Sequence, residues 1–382
     1  MKERSTNKRI SEPEDVKKWY LWRTVTKPRH IFRWDLDKTY LKTDFDTVRD
    51  LVRVARMTAE ERENIPGSAT LLRQMRNSSP SAQNNLIYFI SGSPRQLRSV
   101  IEKKFALDGF EPDGFVLKPS LSMLMKGRFR GIRNQVPYKL SALLGGRSHA
   151  PIGTKETLLG DDAESDALIY SLYADILAGN IERKYLLKFL KKTHAYKDQV
   201  SEIEYQLDAI VHEPTVQRII INLDKNTAPG EFMDYFPRVV PVHNHLQTAV
   251  VLCLDQSVET SAIQEVALEM LWKFGYSSGS LLRSVEDILR RQRTQHSVED
   301  FLHLHRGLSA LSPIKPDKSL TKRAEKFVDE LQRLLEQIIE RIAYLNSRPM
   351  PRNRSRTEPS NDYFELLEAE EKRREARKRV RK

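Results

Sequence analysis

The 382-residue chain has one cysteine, Cys253, in the apolar run Val250-Val-Leu-Cys-Leu254. That excludes a disulfide framework and makes Cys253 a core residue. No uninterrupted apolar run approaches the roughly 20 residues that a membrane-spanning helix requires. Met1 to Lys18 is charged and lacks an apolar h-region, which predicts neither a signal peptide nor an anchor there. The closing basic run is not interleaved with aromatics, and no nucleic-acid-binding motif occurs, which argues against base-specific readout. These absences lead to the expectation of a cytoplasmic enzyme, long enough for one large domain and an appendage.

What is present is an excess of positive charge. Lys and Arg number 64 against 52 Asp and Glu, a formal net charge of +12. Much of the excess sits at the ends, above all in the closing run Glu371-Lys-Arg-Arg-Glu-Ala-Arg-Lys-Arg-Val-Arg-Lys382. Such a run attracts anionic membrane surfaces or nucleic acid by sequence-independent electrostatics, and it suggests peripheral membrane contact. The other reading is a solubilising, disordered tail with no dedicated partner.

The richest stretch is Ile31-Phe-Arg-Trp-Asp-Leu-Asp-Lys-Thr-Tyr40, where an apolar strand-like run ends in two carboxylates, Asp35 and Asp37. Residues two apart in an extended segment point alike. One carboxylate can then attack phosphorus while the other handles the proton. A second apolar run, Asn85-Leu-Ile-Tyr-Phe-Ile-Ser-Gly-Ser-Pro94, ends in Ser91, whose hydroxyl can donate to a phosphoryl oxygen. Lys139 lies just inside a helix that Pro137 can open, and its compact charge suits phosphate and carboxylates. Thr157-Leu-Leu-Gly-Asp-Asp-Ala-Glu-Ser-Asp166 is a third apolar run followed by Gly and acids, the outline of a Mg²⁺ site built from hard oxygen ligands.

Strands are predicted at Ile31 to Trp34, Leu86 to Ile90, Phe115 to Leu117, Thr157 to Leu159 and Arg218 to Leu223, with a later apolar run at Val239 to Val242 and helical periods between most of them. The alternation gives an α/β fold with a doubly wound parallel sheet and sites at strand carboxyl ends. Insertions look small: one helix around Val48 to Met57, and a basic stretch Lys126 to Arg133 that could meet an anionic head group. The expected organisation is a charged leader over 1–26, a catalytic domain over 27–258, a helical region over 259–346 and a basic, disordered tail over 347–382. In the helical region, Ala324, Val328, Leu331, Leu335, Ile338, Ile342 and Leu345 form a heptad stripe. It suits either a partner helix or packing against helices at Ile263 to Phe274 and Leu281 to Arg291. The pairs His243/His245 and His303/His305 are not read as metal ligands, although His243 is placed near the active-site rim.

The Asp strand, the Ser91 strand end, Lys139 and the acidic loop, in that order, resemble the haloacid dehalogenase (HAD) superfamily. The resemblance implies a Rossmannoid sheet with small caps. It also implies that Asp35 is nucleophile and metal ligand, Asp37 general acid/base with its carbonyl on the metal, and Thr39 a support of the phosphate-binding loop. Ser91, Gly92 and Lys139 would hold the transferred phosphoryl group. Asp161 would bind Mg²⁺ directly, with Asp162 and Asp166 both open as the outer ligand. More narrowly, Tyr88-Phe-Ile-Ser-Gly-Ser-Pro-Arg-Gln-Leu97, Lys139 and Gly160-Asp161 followed by Asp166 resemble the catalytic domain of the fungal actin-patch type of phosphatidate phosphatase and its bacterial relatives. That branch is related to the lipins, and the likeness covers about residues 30 to 180. Lys38 departs from the acid common there, as does the Asp-Asp-Ala-Glu-Ser loop.

The resemblance implies a Mg²⁺-dependent phosphohydrolase working through an aspartyl-phosphate on a phosphorylated substrate, a phosphatidate-like lipid being favoured. Two rivals are a phosphatase of soluble metabolites or nucleic-acid ends, and a non-catalytic interaction module that keeps the fold. A missing catalytic acid would mark the module, and every catalytic position is filled.

Overall fold

The computed structural model describes residues 28–43, 57–77, 85–118, 135–311, 322–349 and 362–380. The leader, nearly all of the Val48 to Met57 helix and the basic stretch Lys126 to Arg133 lie outside them. In chain order the main elements are β1 (His30–Asp35), α1 (Ser68–Asn77), β2 (Leu86–Pro94), α2 (Arg98–Leu107), β3 (Gly114–Lys118), α3 (Val136–Ser148), β4 (Lys155–Asp161), α4 (Asp166–Leu177), α5 (Arg183–Lys192), α6 (Lys197–Ala209), β5 (Val216–Asn222), β6 (Val239–Val242), α7 (His245–Leu254), α8 (Ser261–Trp272), α9 (Ser278–Gln292), α10 (Val298–Ser309), α11 (Lys322–Ser347) and α12 (Tyr363–Val380).

All five predicted strands form, and with the later apolar run as β6 they make one parallel sheet of order β3-β2-β1-β4-β5-β6. Helices cover both faces, so the strands read as continuous apolar runs rather than as an alternation with polar residues. Side-chain alternation splits the core between the faces. Phe32, Trp34, Ile87, Phe89 and Leu159 pack with α1, α2 and α7 to α11, while Ile31, Tyr88, Ile90 and Leu158 pack with α3 to α6 and α12. Strand order reverses between β1 and β4, and the crevice outside their carboxyl ends is where such sheets bind ligands. The register aligns Trp34 with Leu159, which brings Asp35 level with the Gly160–Asp161 end of β4.

The C-terminal helices are not an appendage. Leu281, Val285, Leu331, Leu334, Ile338 and Ile342 belong to the same apolar cluster as Phe32 and Trp34 of the sheet. The link is α7, apolar from Ala249 to Leu254 and buried throughout between sheet and bundle. From Leu331 to Leu345 the α11 stripe packs against α8 and α9, the bundle alternative of the sequence reading.

The tail also differs from expectation. Rather than being disordered, residues 363–380 form α12, capped by Asp362 Oδ1, which accepts from Phe364 N at 3.0 Å. Tyr363, Leu366 and Leu367 are buried in the second cluster, and Tyr363 OH hydrogen-bonds Asp175 of α4. Averaging the composition over the whole tail conceals this short apolar anchor.

Candidate active site

Asp35 closes β1 and is 1% exposed, and neither of its carboxylate oxygens makes a hydrogen bond. Lys139 Nζ, one turn into α3, lies 3.0 Å from Asp35 Oδ1, an ion pair without hydrogen-bond geometry. The same ammonium reaches Asp166 at 2.5 Å and Glu164 at 2.8 Å. Burial would lower the Lys139 pKa, but Asp166, Asp35 and Glu164 outweigh it and hold the group well above the usual lysine value. Burial pushes Asp35 well above the usual carboxylate range; Lys139 opposes this, while Asp166, Glu164 and Asp161 add to it.

Asp37 follows on the loop after β1. Its Oδ2 accepts from Ser91 Oγ and Ser93 Oγ, each at 2.7 Å, and Ser91 Oγ in turn accepts from Ser93 N at 2.9 Å. Burial raises the Asp37 pKa against these two bonds. A carboxyl biased toward its protonated form is suited to donate a proton to a leaving group. Between the aspartates and Thr39 the chain turns sharply, with Lys38 at φ 60°. Two distant residues brace the turn: Asn222 Nδ2 donates to Lys38 O at 2.9 Å, and His245 Nε2 bonds Thr39 O at 2.8 Å. Thr39 Oγ1 is buried without a hydrogen bond. Gly92 is needed for close approach, because a Cβ there would lie 2.5 Å from Gln135 Nε2.

The acidic loop divides its carboxylates between different tasks. Asp161 Oδ1 accepts from Ala163 N at 2.5 Å and Glu164 N at 3.0 Å, which shapes the turn, while its Oδ2 is buried without a hydrogen bond. Asp166 Oδ2 accepts from Asp161 N at 3.2 Å, and Gly160 makes room for it: a Cβ would fall 2.3 Å from that oxygen. Asp162 turns away, its carboxylate accepting from Lys225 N at 2.8 Å and from Thr227 N at 3.1 Å and Oγ1 at 2.5 Å. Of the two alternatives for the outer ligand, Asp166 therefore reaches the cluster and Asp162 anchors the loop after β5.

Ligand oxygens of Asp35, Glu164 and Asp166 lie within 4.8 Å of one another. With Asp161 beside them and Lys139 as the central cation, carboxylates outnumber it, and Asp35 and Asp161 keep buried oxygens without hydrogen bonds. Hard oxygen donors carrying excess negative charge fit a divalent cation of the Mg²⁺ kind. A larger cavity, about 600 Å³, lies elsewhere, between α2 and the edge strand β3, and Phe105, Phe110 and Phe115 line it. It holds no comparable set of titratable groups, so chemistry rather than size locates the site.

Asp35, Asp37, Ser91, Lys139, Asp161 and Asp166 thus converge, as does the Thr39 turn. The sequence reading missed Ser93, Glu164, Gln135 and the braces Asn222 and His245. Ser93 was within reach, being two residues from Ser91 on an extended segment. Gln135 Nε2 donates to Glu164 Oε1 at 3.2 Å, a link between separate loops with no local signature.

Comparison with curated proteins and with solved structures finds no match. A family model does match, over residues 34–186, less than half of the chain but enough to include every residue from Asp35 to Asp166 discussed above. That model is described as phosphatidate phosphatase APP1, catalytic domain, and over these residues the chain matches it.

Proposed function

We propose that the protein is a Mg²⁺-dependent phosphatase that cleaves phosphate monoesters through an aspartyl-phosphate on Asp35, with a phosphatidate-like lipid phosphate as substrate. The observation that carries this reading is Asp35 itself: buried at a strand end, both oxygens without hydrogen bonds, and 3.0 Å from Lys139. The description of the matched family supports the phosphatase and the lipid, and the resemblance to the HAD superfamily supplies the division of roles.

In this mechanism an Asp35 oxygen attacks phosphorus while Asp37, held by Ser91 and Ser93, protonates the departing alkoxide. Asp37 then takes a proton from the water that opens the acyl-phosphate. Lys139 balances the charge of Asp35, Glu164 and Asp166 throughout. Asp35, Asp166 and Glu164, with Asp161, would hold Mg²⁺. Bound there, the ion would screen nucleophile from phosphate and polarise the phosphoryl oxygen. No helix among the described residues is long and apolar enough to cross a membrane, so access to a lipid would be peripheral. The basic run from Arg377 onward suits an anionic surface.

A phosphate-release screen over lipid, nucleotide and sugar phosphates, with Mg²⁺ and with EDTA, tests the proposal. The fastest release is expected from a phosphatidate-type ester, abolished by chelator. Preference for nucleotide or sugar phosphates would remove the lipid, undiminished release in EDTA would remove the metal, and no release from any ester would reject the function.

A further inference from the structure

The inward stripe of α12 runs Tyr363, Leu366, Leu367, Glu370 and Arg373, spaced as one helical face. Its first part is a firm anchor. Tyr363 N donates to Tyr185 OH at 2.8 Å, and Tyr363 OH bonds Asp175 on α4, the helix that opens with Asp166. Phe364 meets Tyr185 and Phe189 edge-on, with ring centroids 5.3 and 5.6 Å apart. Then the stripe changes character. Glu370, 8% exposed, and Arg373 line a narrow polar cavity shared with Asp161, Asp162, Glu164 and Phe232. A stripe serving only to pack would stay apolar, since burying charged groups costs free energy. Arg373 Nη2 is 3.6 Å from Glu370 Oε1, its Nε is 4.0 Å from Glu231 Oε2, both beyond hydrogen-bond distance, and its guanidinium also meets the Tyr235 hydroxyl, which donates to Glu370 at 3.5 Å.

We propose that Arg373, carried by the C-terminal helix to the rim of the candidate active site, binds a non-bridging phosphate oxygen of the substrate. This rests on the phosphatase reading above and extends it to a residue outside the matched segment 34–186. The wall is acid-rich, and Asp161, Glu164 and Glu370 would repel a phosphate dianion. A guanidinium on that wall offsets the repulsion, and its planar fork matches phosphate geometry. The cavity has room for about one water, near 10 Å³, so phosphate enters as Arg373 turns from Glu231 and Glu370.

Calorimetric titration of the full chain with inorganic phosphate, in Mg²⁺, is the test. Arg373→Ala should weaken binding about tenfold, the scale of one charge-assisted hydrogen-bonding group. Lys372→Ala, an exposed neighbour losing the same charge, should stay within about twofold. Arg373→Lys keeps charge and bulk but loses the fork; it should bind several-fold more weakly than wild type and decides the matter if the alanine variant does not fold. In parallel, Arg373→Ala should raise KM for the best ester more than it lowers kcat. Wild-type phosphate affinity in both Arg373 variants, or equal losses from the Lys372 and Arg373 alanine variants, would overturn the assignment. If wild type binds phosphate but hydrolyses no ester, the phosphatase reading falls while the binding comparison still decides Arg373. If wild type binds no phosphate, both fall.

Discussion

Two clusters of buried charge hang on the same elements, and they are built in opposite ways. β1 contributes Arg33 to one and Asp35 to the other, β4 contributes Glu156 and Asp161, and α3 contributes Arg147 and Lys139. In the lower cluster every oxygen of Glu156 is occupied. Arg33 donates at 2.8 and 3.1 Å, Arg147 at 3.1 Å and Tyr173 OH at 2.9 Å. Gly146 admits the guanidinium, since a Cβ there would lie 2.4 Å from Arg33 Nη1. In the upper cluster, carboxylates outnumber the lysines beside them, Lys139, Lys118 and Lys38, and Asp35 makes no hydrogen bond. The pKa directions follow: burial would raise Glu156, but Arg33 and Arg147 outweigh it and lower it, whereas burial raises Asp35 and Lys139 does not compensate. A saturated buried charge stabilises the fold, and an unsaturated one is held ready for a ligand or a reaction.

The sharpest way to break this comparison is to neutralise one acid in each cluster. Asp35→Asn removes the proposed nucleophile, so phosphate release should fall on the order of ten-thousandfold. Because it also removes a charge from a crowd of acids, thermal stability in the absence of Mg²⁺ should be unchanged or higher. Near-wild-type turnover would reject the mechanism, and a large loss of stability would mean the upper cluster is structural after all.

Glu156→Gln should do the reverse. It leaves Arg33 and Arg147 buried beside a neutral group, and breaking a buried pair in this way costs roughly 3–5 kcal/mol. Urea unfolding should show that loss, while the folded fraction keeps its kcat. A mild effect on stability, or a loss of kcat at full folding, would erase the distinction between the two clusters.

How much of this was legible in the sequence depends on how local each signal is. The parallel strands were readable because burial on both faces leaves continuous apolar runs such as Ile31 to Trp34 and Leu86 to Ile90. Asp35, Asp37 and Ser91 were readable because period-two geometry at a strand end fixes where they point. The acidic loop was not. Asp162 and Asp166 differ in role because the backbone amides of Lys225 and Thr227, more than 60 positions away, capture Asp162. Local spacing carries no trace of that contact, nor of Gln135 meeting Glu164 across Gly92. The helix α12 escaped for a different reason: a few anchoring residues, Tyr363, Leu366 and Leu367, decide its fate within a strongly charged segment whose average composition says disorder.

The finest test of the comparison uses two buried histidines, one at each end of the sheet. His30 opens β1 near Glu156, with Nε2 2.9 Å from Thr157 Oγ1; His245 lies under the Asp37–Thr39 turn on Thr39 O and stacks on Trp34 at 5.6 Å. Burial lowers both from 6.5 to about 4. The unfolded chain therefore takes up protons on these groups below pH 6.5 while the folded chain does not. The stability linked to them is present above pH 6.5 and is lost as pH falls toward 4, on the order of 2–3 kcal/mol for each. Replacing either histidine by Gln should flatten the decline of the urea midpoint between pH 6.5 and 4.5. Only His245→Gln should also alter kcat, by a few-fold, because only His245 braces the turn that carries Asp37 and Thr39. An unchanged pH slope in both variants would remove the histidines from the account, and a kcat change in His30→Gln would show that the two ends of the sheet are coupled.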